Sequence, residues 1–84
     1  MTAVTVSTAL QSTPNAGVKR VVLRTDANCA TGFTLAAGDY GFSDLYATYL
    51  CDDAGAVKIA TWSALVVTIG TVSTGVHTLI LEGI

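Results

Sequence analysis

The few side chains that could do acid–base chemistry in this sequence are not spaced as a catalytic group. His77 is the only histidine. Alternation along a strand would place it on the same face as Leu79 and Leu81. A general base needs a carboxylate to orient its ring and a nucleophile in front of it, whereas Glu82 falls on the opposite face. We therefore interpret His77 as a packed core side chain, and we expect no catalytic residue and no enzyme activity.

The other candidate ligands do not have the spacing of a metal site. Zinc needs about four ligands in closely spaced pairs, whereas Cys29, Cys51 and His77 occur singly along the chain. Asp52 and Asp53 are the only adjacent carboxylates, and aspartate favours turns because its side chain bonds the backbone two residues on. The loop pattern of a calcium site does not occur. We expect no metal and no cofactor, and two reduced cysteines.

The composition predicts a surface that other protein chains cover. Hydrophobic residues make up 51% of the 84 residues and charged residues only 12%, against about 25% charged in ordinary domains. A domain of this size buries only about 60% of its unfolded surface, so apolar side chains must remain outside. With four cations and a net charge of −2, we expect no nucleic-acid binding. We also expect no membrane segment and no secretory signal.

The first seventeen residues differ from the rest because they carry no charged side chain. Their alternating valines are typical of a short strand, and a turn is predicted at 14–17. We interpret 1–17 as an extended N-terminal arm that pairs with its own domain or with a neighbouring subunit. The candidate partner-binding side chains on this arm are Val4, Val6 and Leu10.

Residues 18–84 form the predicted domain, in which short β-branched runs alternate with turns. Strands are expected at 18–25, 32–35, 57–61, 65–69 and 76–81. The segment 42–50 fits a strand or a helix, and we favour a strand because its tyrosines and threonine suit a sheet. The sequence therefore predicts an all-β fold, a small antiparallel β-sandwich or barrel of six to seven short strands. Trp62 is expected to anchor the core, although an exposed position would suit carbohydrate binding.

Three segments together resemble a known class of viral protein. They are the strand VKRVVLRT at 18–25 after the uncharged arm, YATYLCDDAGAVKI at 46–59, and the ending that runs from LVVTIG at 65–70 to TGVHTLILEG at 74–83. In this pattern the chain resembles the small head proteins of tailed bacteriophages that decorate or cement the capsid shell.

The resemblance implies a β-rich and often trimeric subunit of the virion, assembled in the host cytoplasm. Its partners would be the major capsid protein and copies of itself. The expected function is a capsid decoration (cement) subunit that stabilises the lattice of the major capsid protein through apolar contacts between subunits. The alternatives are another repeating structural subunit of a tail tube, fibre or pilus, or a small carbohydrate-binding module.

Overall fold

The computed structural model describes residues 2–15 and 18–84, so residues 16 and 17 of the turn predicted at 14–17 lie outside the described residues. The described residues form eight strands and one four-residue 3-10 turn, Ala37–Tyr40. The strands are β1 (Val6–Asn15), β2 (Val18–Thr25), β3 (Thr34–Ala36), β4 (Leu45–Asp52), β5 (Val57–Lys58), β6 (Ala60–Ser63), β7 (Val66–Ile69) and β8 (His77–Gly83). The prediction of an all-β antiparallel fold is confirmed, with eight strands in place of the expected six to seven because the run 57–61 is divided into two. The ambiguous segment at 42–50 contributes the strand β4.

The strands are arranged in two antiparallel sheets around one core. The large sheet has the order β1-β2-β8-β4-β5, and the small sheet has the order β3-β7-β6. Alternate positions of the central strands point inward, since a strand turns successive side chains to opposite faces. The buried apolar side chains are Val21, Leu23, Cys29, Leu35, Ala37, Phe42, Leu45, Leu50, Val67, Ile69, Leu79 and Leu81.

The run 57–61, predicted as one strand, is divided between the two sheets at Ile59. β5 pairs with β4 in the large sheet, whereas β6 pairs with β7 in the small sheet. The carbonyl of Ile59 accepts a hydrogen bond from the backbone N–H of Gly70 at 2.8 Å. The hydroxyl of Thr48 donates to the carbonyl of Ala60 at 3.1 Å. The Gly70 bond extends the pairing of β6 with β7, and the Thr48 bond joins β4 of the large sheet to β6 of the small sheet at the point where the chain crosses between them.

The beginning of the chain is tied into the same domain. β1 pairs antiparallel with β2 and forms one edge of the large sheet. Before it, the N–H of Val4 donates to the carbonyl of Thr34 at 2.8 Å, and the N–H of Thr34 donates to the carbonyl of Thr2 at 3.0 Å. Val4 and Val6 are partly buried against the core. The segment at 2–6 therefore bridges the edge of the large sheet and β3 of the small sheet.

The hairpin between β6 and β7 places two ordinary residues in the left-handed backbone region. Ala64 has φ 49° and Leu65 has φ 71°. This is the conformation of a two-residue type I′ turn, in which asparagine and glycine are preferred. Leu65 is fixed there by the core, because its side chain packs against the core and its carbonyl accepts the N–H of Ala37 at 2.8 Å.

We expect Ala64→Asn to stabilise the protein. Ala64 is exposed, and asparagine enters the left-handed region at lower cost than alanine. The free energy of unfolding should rise by about 0.5–1 kcal/mol, which is about 4 °C in Tm for a domain of this size. Thermal denaturation measures the change. Ala54→Asn, at an exposed loop alanine outside the left-handed region, is the control, and an equal gain there would contradict the explanation.

Candidate interaction surface

The large sheet has one face on the core and one face that no part of the described chain covers. In β2, Val21 and Leu23 are buried, so the intervening residues point away from the core. The same alternation holds in β8, where Leu79 and Leu81 are buried and Ile80 lies on the other side. We call this uncovered side of β1, β2, β8 and β4 the outer face.

An apolar row crosses the outer face from one strand to the next. Directly opposite residues in a sheet share a face, and the register pairs Leu10 with Val22, Val22 with Ile80, and Ile80 with Tyr49. Leu10 is 65% exposed and Tyr49 is 54% exposed, while Val22 and Ile80 are partly exposed. We call these four side chains the outer row. It is a continuous apolar surface four strands wide.

A groove of about 240 Å³ lies at the β4–β5 end of the outer row. Its outward-facing lining includes Tyr49 and Ile80 from the row, together with Cys51, Val57 and Thr78. Val57 is 86% exposed, and β5, to which it belongs, is only two residues long. The short edge strand therefore leaves the groove open on one side.

An ion pair flanks the outer row on each side. The guanidinium of Arg20 donates to the carboxylate of Glu82 at 3.0 and 2.6 Å, and Arg24 donates to Asp53 at 2.5 Å. The hydrogen bonds from Arg20 lower the pKa of Glu82 below its ordinary value. β2 therefore contributes the cations of this face, and β8 and the turn after β4 contribute the anions. Solvent screens exposed pairs of this kind, so they contribute little to folding.

The structure places His77 in the core, as its alternation predicts. The ring is only 1% exposed, and Nδ1 lies 2.9 Å from the carbonyl oxygen of Gly75, so Nδ1 donates that hydrogen bond. The backbone N–H of His77 donates to the hydroxyl of Thr25 at 2.9 Å. Nε2 is buried and has no hydrogen-bond partner among the described residues. The backbone hydrogen bond ties the start of β8 to the Thr25 side chain at the end of β2.

Both cysteines are free thiols, and they differ in environment. Cys29 is fully buried, and burial raises the pKa of its thiol even though Thr25 forms a hydrogen bond with it. Cys51 lies opposite Thr78 on the outer face and is partly exposed. Only Cys51 is therefore open to reagents from solvent.

Asp52 organises the turn after β4. Its Oδ1 accepts the backbone N–H of Ala56 at 2.8 Å and that of Ala54 at 3.0 Å. These hydrogen bonds, that of Ala56 above all, lower the pKa of Asp52 below its ordinary value. Within the described residues, no group of three or more histidine, cysteine, aspartate or glutamate side chains is placed to hold a metal ion. The two backbone hydrogen bonds in the turn therefore explain why an aspartate stands at position 52, and no bound ligand is needed.

We expect Asp52→Asn to weaken the dependence of stability on acid pH. A carboxylate whose pKa is lower in the folded state stabilises the fold above its unfolded pKa, and this stabilisation is lost as pH falls through the folded pKa. The wild type should therefore lose stability below about pH 4, and the variant should be less stable at neutral pH with a shallower acid loss. Urea unfolding at several pH values measures this. The exposed Asp39→Asn controls for the lost charge, and an unchanged slope in Asp52→Asn would contradict the account.

The candidate partner-binding residues of the sequence lie in two different environments. Val4 and Val6 pack against the chain's own core, whereas Leu10 is exposed and belongs to the outer row.

Trp62, expected to anchor the core, is 40% exposed, so that expectation is wrong. It lies opposite the buried Val67 and so on the inner side, but β6 is the edge of the small sheet and leaves the ring partly open.

The chain matches no protein-family model, no curated protein and no solved structure. In the part of the chain that the structure describes, no helix has the length and apolar character needed to cross a membrane.

The sequence interpretation missed three members of the outer row: Val22, Tyr49 and Ile80. A sequence signal was present for Val22, because it is the apolar residue that lies between Arg20 and Arg24 on their face of the strand. An apolar side chain on the charged side of a strand is what marks such a surface.

Proposed function

We propose that this chain is a structural subunit of a repeating protein assembly, and specifically a decoration subunit of a tailed-bacteriophage capsid. The observation that carries the proposal is the outer row, a continuous apolar surface on a sheet face without a covering layer. The largest apolar patch on a small soluble domain is often a surface that contacts another protein.

The electrostatics of the outer face suit a protein partner. The two arginines of β2 are each paired with a carboxylate, so the face offers no free basic cluster for a phosphate backbone. An apolar centre with a charged rim is the usual anatomy of a protein–protein interface. On a lattice, many copies act together, and weak individual contacts add up to firm attachment.

The place of the subunit in a phage head comes from the resemblance of the three sequence segments. In this role the outer face would contact the major capsid protein or a further copy of the subunit. Burial of the outer row would exclude water from a joint between capsid subunits and resist its opening. A tail-tube, fibre or pilus subunit would use the same chemistry in another particle.

Fractionation of particles tests the proposal. A lysate from cells that produce the chain and its particles is separated on a density gradient, and the chain is quantified by mass spectrometry in each fraction. The capsid role predicts that the chain sediments with heads in fixed proportion to the major shell protein. Sedimentation with tails or filaments would assign it to the alternative structural class. Recovery only in the unsedimented fraction would contradict a structural role in particles.

Exposed aromatic side chains favour a carbohydrate-binding module as a second candidate. Tyr46 is 55% exposed, Tyr49 is 54% exposed and Trp62 is 40% exposed. However, Tyr49 lies on the outer face of the large sheet, whereas Trp62 lies at an edge of the small sheet on its inner side. These two rings therefore do not form one stacking platform for a sugar. Titration of Trp62 fluorescence with cellohexaose and chitohexaose tests this candidate, and a saturable change would favour it.

A further inference from the structure

We infer that the outer face binds the same face of a second copy of this chain, and that the two copies are related by a two-fold axis. The inference deepens the proposed function, because it names a partner for the surface on which that function rests. It makes the dimer the unit that joins the assembly.

The apolar part of the face is complementary to itself. Consider a two-fold axis that runs parallel to the strands, midway between β2 and β8. It places β2 of one copy over β8 of the other, and β1 of one copy over β4 of the other. Val22 then faces Ile80 of the second copy, and Leu10 faces Tyr49. Each contact pairs an aliphatic side chain with another apolar side chain of different size, which favours interdigitation.

The Arg20–Glu82 pair of the face is complementary about the same axis. Arg20 on β2 and Glu82 on β8 lie directly opposite each other in the register. The two-fold operation therefore places Arg20 of each copy over Glu82 of the other. Each charge of this pair then gains an opposite charge from the second copy, and the pair meets no like charge.

The symmetry of this contact differs from the trimer that the resemblance implies. A three-fold ring needs two different patches on each subunit, whereas a two-fold contact uses one patch that fits itself. The outer face has cations on one side of the axis and anions on the other, with apolar residues at the centre. This distribution favours a two-fold pair.

The size of the face predicts a weak dimer. Strands lie about 4.8 Å apart and rise about 3.3 Å per residue, so four strands over a length of about six residues cover about 400 Å² in projection. Stable complexes bury about 800 Å² on each partner. We therefore expect association that depends on concentration, and firm attachment only when many dimers join one lattice.

Sedimentation equilibrium of the purified full chain tests the contact. The wild type should pass from monomer to dimer between about 10 µM and about 1 mM. Ile80→Glu should weaken dimerisation at least about tenfold, because it buries a charge at the centre of the contact. Ile59→Glu is the matched control, since Ile59 is 71% exposed and lies between β5 and β6, outside the outer row. Equal dimerisation of the two variants, or a monomeric wild type over this range, would overturn the inference.

A charge-swap mixture tests the geometry of the contact. Arg20→Glu makes the face acidic, Glu82→Arg makes it basic, and each alone should dimerise at least about tenfold more weakly than the wild type. An equal mixture of the two should form heterodimers, because the carboxylates of the acidic variant would then lie over the guanidinium groups of the basic one. The pair is exposed enough for both variants to fold, which circular dichroism checks. A mixture that associates no better than its components would overturn the two-fold arrangement.

These results separate the inference from the proposed function. A chain that sediments with phage heads but stays monomeric in solution would keep the function and overturn the dimer, and its outer face would then contact a different protein. A chain that forms the dimer but does not join particles would keep the dimer and contradict the function.

Discussion

Replacing Gly83 with alanine is expected to destabilise the fold by more than about 3 kcal/mol, a larger effect than that of any other single substitution proposed for this chain. A Cβ at this position would lie 2.0 Å from the carbonyl oxygen of Asp44 and 3.0 Å from Cα of Leu45. The obstruction is backbone and is fixed in place, because the N–H groups of Asp44 and Ile84 each donate to the other residue's carbonyl at 3.0 Å. The side chain therefore has nowhere to move.

The measurement is chemical denaturation of Gly83→Ala beside Gly38→Ala. A Cβ on Gly38 meets no atom within 4 Å, and Gly38 is not left-handed, so alanine there should leave the free energy of unfolding nearly unchanged. A domain of 84 residues has a total stability of about 4–13 kcal/mol. Gly83→Ala should consequently lower Tm by about 15 °C or more. A Gly83→Ala protein as stable as the control would show that β4 and β8 are not packed as described.

Deleting residues 2–6 is expected to lower the stability of the isolated domain by about 2–4 kcal/mol. The deletion removes the backbone hydrogen bonds that join Thr2 and Val4 to Thr34, and the bond from the N–H of Asp26 to the carbonyl of Thr5 at 3.0 Å. It also removes Val4 and Val6 from the edge of the core. Thermal denaturation of the truncated protein measures the loss.

Leu10→Ala is the matched control for the deletion. Leu10 lies on β1 but is 65% exposed, so its truncation should leave Tm almost unchanged while it weakens association through the outer face. Loss of stability only in the deletion would mean that residues 2–6 serve the chain's own core. A deletion that keeps the full Tm and fails to join particles would instead make this segment an arm that reaches a neighbouring subunit.

Alternation of side chains made most of the fold predictable from the sequence. The strand at 18–25 and the placement of His77 beside Leu79 and Leu81 follow from local pattern, and both agree with the structure. The division of the run 57–61 at Ile59 was not predictable, because it depends on a hydrogen bond from Gly70 that forms only in the folded chain. Local propensity carries no information about which sheet a strand joins.

The candidate surface was predictable only in part for the same reason. Leu10 was identified from its uncharged segment, but its neighbours in the outer row come from strands far apart in the chain. Val22 meets Ile80 only because β2 pairs with β8, although the two residues lie far apart in the sequence. Trp62 was misjudged because its exposure depends on the position of β6 at a sheet edge.

Protection of one thiol tests most directly whether the outer face meets other proteins. Cys51 lies on that face beside the groove, whereas Cys29 is buried and serves as an internal reference. Iodoacetamide should modify Cys51 in the dilute isolated protein, and mass spectrometry of the native protein should find Cys29 unmodified. In assembled particles that contain the chain, we expect the rate at Cys51 to fall by about tenfold or more. An equal rate in particles and in the dilute protein would mean that the outer face stays open to water, and would contradict the account.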